Sequence, residues 1–305
     1  MPTKPVVTLV TSENLPNLDP DEEHLPDALR DRGIEPRIAI WDDKSVDWSD
    51  AGMTVVRSVR DYARKREQFL DWIDSVPRLL NHPDILRWNT DKHYLLELEK
   101  RGMPIVPTAW LEPDADLSKH QVHTRMPASG DFVVKPAISS GGRGTGRYTS
   151  TDARSRSAAI SHAVDDLKDG RTVMVQRYLD TVDRQGELSL VYLNGLASYT
   201  VEKEPMLHPR YRGGDAVTEE VARVHVATEE EWRWGEQIRK ALHGYIKSRM
   251  GRDEQLLFNR VDVVADGEGG FYVMEISLID GKLYLKDVPE ALDMFADAIA
   301  VRAFW

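Results

Sequence analysis

The 305-residue chain is predicted to be an α/β protein of the α+β kind, with a parallel α/β lobe at its N-terminus, a mixed central lobe and an antiparallel sheet lobe at its C-terminus. Three observations carry this. Short β-branched runs alternate with helical stretches over the first ninety or so residues, the pattern of βαβ units in a parallel sheet. Asn194-Gly195 sits between two strand-like runs and is the strongest short-range hairpin signal in the chain. A third β-rich stretch, Arg260 to Ser277, folds back on itself at a Gly-rich turn.

Taken in order, Val6 to Val10 reads as a buried strand, Asp21 to Arg32 as a helix stopped by Gly33, and Ile34 to Trp41 as a second strand. Met53 to Arg57 gives a third strand, Tyr62 to Ser75 an amphipathic helix with Phe69, Trp72 and Ile73 inward, and Arg78 to Asn81 a short fourth strand. The strand ends near Thr11 to Asn14 and near Asn81 and His82 are where a doubly wound sheet binds ligands, although local hydrogen bonding explains each residue equally well. Thr90 to Arg101 reads as a helix capped by Asn89 or Thr90 and stopped by Gly102, followed by extended Pro104 to Thr108. Strands at Phe132 to Lys135, near Tyr148 and at Val173 to Tyr178 surround a helix from about Asp152 to Lys168. Hairpin strands Glu187 to Leu193 and Ala197 to Glu202, a long helix from Thr228 to Met250 stopped by Gly251, and a terminal helix Pro289 to Ala303 with its proline in the first turn complete the chain. The expected lobes are 1–88, 89–178 and 179–305.

Composition narrows the function. With 41% hydrophobic residues the chain is globular, and 40 basic against 51 acidic residues give a net charge of -11, which argues against a general nucleic-acid or anionic-membrane surface. The absence of cysteine removes disulfides, thiol nucleophiles, iron–sulfur clusters and thiolate zinc sites, and the nine histidines show no metal-binding spacing. Neither a signal-peptide core nor an apolar run of about 20 residues is present, so a cytoplasmic protein is expected.

The acidic hairpin is the most informative stretch. A turn centred on Glu268-Gly269 pairs Asp262 with Glu275 and Arg260 with Ser277 on one face, leaving Val261, Val263, Met274 and Ile276 on the other. Two facing carboxylates repel unless something positive lies between them. A divalent cation would do this, and oxygen ligands so few in number suit Mg²⁺ completed by substrate phosphates. A solvated face with Arg260 neutralising Asp262 fits the same residues, and an odd turn without a bulge would break the register.

A second constellation joins Lys135, at a strand end, to Ser139, Ser140, Gly141, Gly142, Arg143, Gly144, Thr145 and Gly146. Such a loop can turn its N–H groups onto phosphates while the lysine supplies fixed charge. It is no Walker loop, because the lysine precedes the glycines and no helix follows at once. Lys92 opens its helix, where a bound anion or a plain surface position would each account for it. Gln176, Arg177, Tyr178 and Leu179 end a strand between lobes and could offer backbone groups to an adenine edge. Leu207 to Gly214 reads as a basic loop free to close on substrate or simply to sit in solvent.

In this order, a helix lysine, a strand lysine, a Gly-rich hairpin, an interlobe strand and an acidic hairpin resemble the ATP-grasp superfamily across nearly the whole chain. The resemblance implies an ATP-grasp fold in which 1–88 is the domain preceding the ATP-grasp core, 89–178 the lid domain and 179–305 the domain with the metal site. It implies that Lys92 and Lys135 contact ATP phosphates, that residues 139–146 cover them, and that Gln176 to Leu179 form the adenine hinge. Glu187 and Lys203 match nucleotide-side contacts, though a solvent-facing ion pair serves as well. Asp262 and Glu275 match the Mg²⁺ ligands, with Ser277 where an asparagine is usual, which puts a full second metal site in doubt. Arg260 matches the arginine that steadies the γ-phosphate or acyl phosphate, and with Lys135 forms the expected catalytic pair.

The implied reaction is phosphorylation of a carboxylate by ATP, then attack of a nitrogen on the acyl phosphate. Thr-Ser-Glu-Asn after the first strand, Phe69-Leu70-Asp71-Trp72 and Trp88-Asn89-Thr90-Asp91-Lys92 resemble the small cyclo-ligases that close O-ureido-D-serine to the antibiotic D-cycloserine. An intermolecular amino-acid or dipeptide ligase, a small-molecule kinase and a non-catalytic nucleotide-binding module remain as alternatives, and homo-oligomers are common in the superfamily.

Overall fold

The computed structural model describes residues 4–207 and 220–305. Strands β1 (Val6–Thr11), β2 (Glu35–Ile40), β3 (Met53–Ser58) and β4 (Leu79–Leu80) make a parallel sheet ordered β2-β1-β3-β4, with helices α1 (Leu25–Asp31) and α2 (Arg66–Ser75) in the connections. β1 and β3 are apolar on both faces because both are covered. Val7, Leu9 and Val55 pack with Leu25, Leu29, Phe295 and Ile299, whereas Val10 and Val56 face Trp41, Phe69 and Ile73.

Helices α3 (Pro83–Asn89) and α4 (Tyr94–Glu99) lead into the second lobe. The helix expected over Thr90 to Arg101 is only α4, capped at His93 and not at Asn89 or Thr90, and α3 is a separate helix before it. Pro83 is pre-set for a first helical turn and the His82 ring nitrogen accepts from the Asp84 N–H at 3.2 Å, which opens α3, a helix not predicted from the sequence. Strands β5 (Thr108–Leu111), β6 (Asp131–Pro136), β7 (Gly146–Thr149) and β8 (Val173–Arg177) form an antiparallel sheet ordered β5-β8-β6-β7, covered by α5 (Lys119–Arg125) and α6 (Ala153–Lys168).

After α7 (Asp180–Gln185), strands β9 (Glu187–Leu193), β10 (Leu196–Lys203), β11 (Ala222–His225), β12 (Phe258–Ala265) and β13 (Phe271–Ser277) build an antiparallel sheet ordered β11-β10-β9-β12-β13. Asn194 and Gly195 both take positive φ, 47° and 74°, the two-residue turn expected of that pair. α8 (Glu229–Met250) is opened by a capping box of Thr228 and Glu231 and closed by left-handed Gly251. α9 (Ala291–Phe304) returns to the first lobe, where Arg32 bonds Asp293 and Asp297. Its N-cap is Glu290 with φ 66°, so Pro289 lies before the helix and not in its first turn. Among the described residues no helix is long and apolar enough to cross a membrane.

Buried asparagines join the first lobe to the third. Asn81 donates to the carbonyls of Phe258 and Leu278 and accepts from the Leu257 N–H. Asn89 donates to Ile276 O at 2.7 Å and accepts from Leu278 N at 3.0 Å. The end of β13 is therefore held from outside its own sheet. Asn89→Leu leaves the buried Leu278 N–H without its acceptor and is expected to cost about 2 kcal/mol, read as a lowered denaturation midpoint with an unchanged m-value.

Candidate active site

One cleft of about 470 Å³ lies where the three sheets meet, and it gathers Lys92, Lys135, Ser139 to Gly142, Gln176 to Leu179, Glu187, Lys203, Arg260, Asp262, Glu275 and Ser277. Gly144 and Gly146 are not on its wall. Gly144 has φ +68° and lies against Pro136, and a Cβ at Gly146 would meet the Tyr148 ring at 2.7 Å, so both serve the loop's own geometry. The basic loop from Leu207 to Gly214 lies outside the described residues apart from Leu207, whose carbonyl accepts from Arg147.

The acidic hairpin has the expected pairs, Asp262 with Glu275 and Arg260 with Ser277, but by a different route. Its loop between Ala265 and Phe271 is odd in length, and Val263 pairs with Val273. A bulge at Met274 then restores the register at the site. The bulge also moves Met274 off the core face where the alternation puts it. It lines the cleft beside Val106, Leu179 and Val182.

Asp262 is 1% exposed, so the solvated-face alternative fails, although Arg260 does neutralise it. Its Oδ1 accepts from Ser189 Oγ at 2.6 Å and Arg260 Nε at 2.9 Å, and its Oδ2 from Arg260 NH2 at 2.7 Å and Lys203 Nζ at 3.0 Å. Lys203 also meets Glu187 at 2.8 Å, and Arg260 meets Glu220 at 3.5 Å. Charges alternate along this buried chain. Burial alone would raise the Asp262 carboxyl, but Arg260 and then Lys203 outweigh it and hold the group well below the usual carboxylate range. The Glu187–Lys203 pair is enclosed, not solvent-facing, with Lys203 only 3% exposed.

One end of the cleft is cationic. Lys92 is buried, its backbone N–H donating to Ala137 O and its Nζ to Ser139 O at 3.1 Å, with Glu275 at 3.4 Å. It precedes α4 and is no surface residue. Lys135 is buried and forms no ion pair among the described residues. Desolvation, then the charge of Lys92, pull its pKa down from 10.5 to about 8. A buried lysine in this condition is suited to receive an anion. The Gly-rich loop beside it takes positive φ at Gly141, Gly142 and Gly144, and is fastened by Ser140 Oγ donating to Asp280 and by Arg143 NH1 donating to Arg60 O at 2.6 Å.

At the strand end beyond, the Gln176 side chain is engaged with Thr108 Oγ1 at 2.8 Å, which leaves backbone groups for any ligand edge there. Arg147 stacks over the Tyr178 ring at 3.5 Å and bonds Asp131 and Asp183, fixing that end to β7 and α7.

Several cleft residues carry no sequence signal. Asp19, Asp21 and Arg60 come from the first lobe, and Asp280, Gly281 and Lys282 follow β13. The strand-end residues singled out earlier are structural instead: Thr11 bonds Leu15 O, Ser12 bonds Ser58 O, and Asn81 and His82 have the roles given above. Chain entry from β1 into the cleft is displaced to Asp19–Asp21 by the intervening turns.

The donors for a Mg²⁺ ion are oxygens only, and among the described residues no three His, Asp or Glu side chains form a ready cage. Glu275 is open, at 41% side-chain exposure, whereas all four acceptor positions of Asp262 are taken, so a cation there displaces one of its donors. The set suits Mg²⁺, which binds through one or two carboxylates and leaves its other positions to phosphates and water.

A three-sheet fold with a cationic, glycine-covered cleft beside a carboxylate hairpin defines an ATP-grasp enzyme, and the chain is an ATP-grasp ligase. Within that class it is similar to cycloserine synthetase. The family model for the N-terminal domain of D-cycloserine synthetase DcsG matches residues 7–81. The cycloserine biosynthesis protein DcsG of Streptomyces lavendulae is 29% identical over 97% of this chain and 98% of its own. The crystal structure of D-cycloserine synthetase DcsG superposes with a TM-score of 0.84 at 28% identity, covering 98% of this chain and 99% of that one. A RimK domain ATP-grasp protein from Sphaerobacter thermophilus shares the fold at TM-score 0.65 and 16% identity, covering 96% and 98%.

Proposed function

We propose that the chain is an ATP- and Mg²⁺-dependent cyclo-ligase that converts O-ureido-D-serine to D-cycloserine. The observation that carries the nucleotide assignment is Lys135, buried beside Lys92 without a counter-ion under a loop of positive-φ glycines. In this reading Lys92 and Lys135 hold the phosphates, residues 139–142 cover them, and the backbone of Gln176 to Leu179 receives adenine against Val106, Val182 and Met274. Glu187 and Lys203 border the nucleotide, and Arg260 neutralises the transferring phosphoryl group. Asp262, Glu275 and the Ser277 hydroxyl would hold Mg²⁺, which when bound offsets phosphate charge.

The substrate assignment is supported by the likeness over residues 7–81. ATP-grasp cores are shared among many ligases, and it is this lobe that supplies Asp19, Asp21 and Arg60 to the far end of the cleft. The carboxylate takes the γ-phosphoryl group, the ureido-oxy nitrogen attacks the acyl carbon, and inorganic phosphate leaves. Water then removes the carbamoyl group as carbon dioxide and ammonia. The test is phosphate release with products read by mass, using O-ureido-D-serine, its L form and a panel of amino acids. Cycloserine from the D form alone is expected. ADP with only an amino-acid pair would make the protein an intermolecular ligase, a stable phosphorylated product would make it a kinase, and no ADP with any substrate would leave a binding module.

A further inference from the structure

Closing a ring through nitrogen requires a proton acceptor, because the attacking N–H must lose its proton as the C–N bond forms. We propose that Asp280 is that base, an assignment that rests on the cyclo-ligase reading of the cleft. Among the described residues no histidine lines the cleft. Most of its carboxylates are ion-paired: Asp19 with Arg60 at 3.0 Å, Asp287 with Lys282, Glu187 with Lys203, Glu220 and Asp262 with Arg260, and Glu275 with Lys92. Asp21 turns one oxygen to the Lys286 N–H and has the other enclosed. Asp280 likewise has no ion pair among the described residues, and its one hydrogen-bond partner is the Ser140 hydroxyl, but its oxygens are not turned away to the backbone as those of Asp21 are.

Its place in the cleft is the right one. Asp280 lines the cleft beside Ser140 of the Gly-rich loop, at the border where the charges of Lys92 and Glu275 and that of Arg60 from the first lobe all act on it. The acyl carbon of a phosphorylated substrate must sit at this border, with the nucleophile on its far side. Arg60 and Tyr62 face the carboxyl from the first lobe, Lys92 from the segment before α4, Arg143 from the Gly-rich loop and Glu275 from β13. Burial raises its pKa and outweighs Ser140 and Arg60, so it is a stronger base than an ordinary carboxylate. Because Ser140 belongs to the Gly-rich loop, the base is oriented by the same element that covers the phosphates.

In the step, the nitrogen lone pair forms the bond to the acyl carbon, the carbon–oxygen bond to phosphate breaks, and the N–H proton passes to the Asp280 carboxylate. The experiment compares wild type and Asp280→Asn with ATP, Mg²⁺ and O-ureido-D-serine, with and without hydroxylamine to trap the acyl phosphate. Ring closure is expected to fall by roughly 100-fold or more, the scale of a lost general base, while hydroxamate forms at a rate close to wild type. Normal ring closure in the variant overturns the assignment, as does a hydroxamate rate that falls in step with cyclisation. No cyclic product from wild type overturns the parent reading and this one with it. Should Asp280→Asn not fold, Ser140→Ala removes a bond that holds the carboxyl down. The acid limb of the ratio of cyclisation to hydroxamate formation then moves to higher pH, and an unmoved limb in that ratio rejects the base.

Discussion

Asp262→Asn is expected to lose turnover by roughly 1000-fold, the scale of a lost metal-site ligand, and to lose stability by about 3–5 kcal/mol, the cost of unpairing a buried charge. Two cations meet its carboxylate, Arg260 at 2.7 Å and Lys203 at 3.0 Å, and both are almost fully buried. Glu187 and Glu220 remain beside them after the substitution, so the fold is weakened and not abolished. Its partner across the hairpin differs. Glu275 is 41% exposed and has one contact at 3.4 Å, so Glu275→Gln should remove turnover with a stability change under about 1 kcal/mol. Thermal denaturation alongside ADP release separates the two. Equal loss of stability in both variants would mean that the buried charge chain does not hold Asp262 in place.

That contrast was half legible in the sequence. The facing of Asp262 and Glu275 follows from strand alternation and a turn position, and both facts are local. Their unequal burial is not local. It arises because Lys203 and Ser189, on strands β10 and β9, close over Asp262, whereas β13 is the edge strand and leaves Glu275 open. The bulge at Met274 shows the same limit: the pairing is right at the site, yet alternation puts Met274 in the core and the structure puts it in the cleft. The parallel lobe, the Asn-Gly hairpin and α8 are read directly because their periods are long or their turn chemistry is strict. α5 and α7, of seven and six residues, are too short to show a helical period, and β5 and β11, of four each, exist only because β8 and β10 offer them an edge. Asp280 has no motif at all. It becomes visible only when the carboxylates around it are seen to be paired.

Lys135→Met should act on stability and on binding in opposite directions. In the folded protein without nucleotide, burial and the neighbouring Lys92 bring the lysine's pKa from 10.5 to about 8. Below about 8 it is charged in both folded and unfolded chains, and the folded state bears a penalty of about 3 kcal/mol. Between about 8 and 10.5 the unfolded chain holds a proton that the folded chain has released, so stability rises with pH, and above 10.5 the penalty is gone. Methionine fills similar space with no charge. At neutral pH the variant is therefore expected to be more stable than wild type by up to about 3 kcal/mol, the difference closing as pH rises. Its affinity for ATP should fall by roughly 100-fold, the loss of a charged hydrogen bond to phosphate. Wild-type affinity should itself weaken above pH 8, with a proton taken up on binding that calorimetry in buffers of different ionisation enthalpy can count. A variant that is less stable than wild type and still binds ATP would mean that Lys135 is neutralised within the fold, and that the cleft is not waiting for an anion.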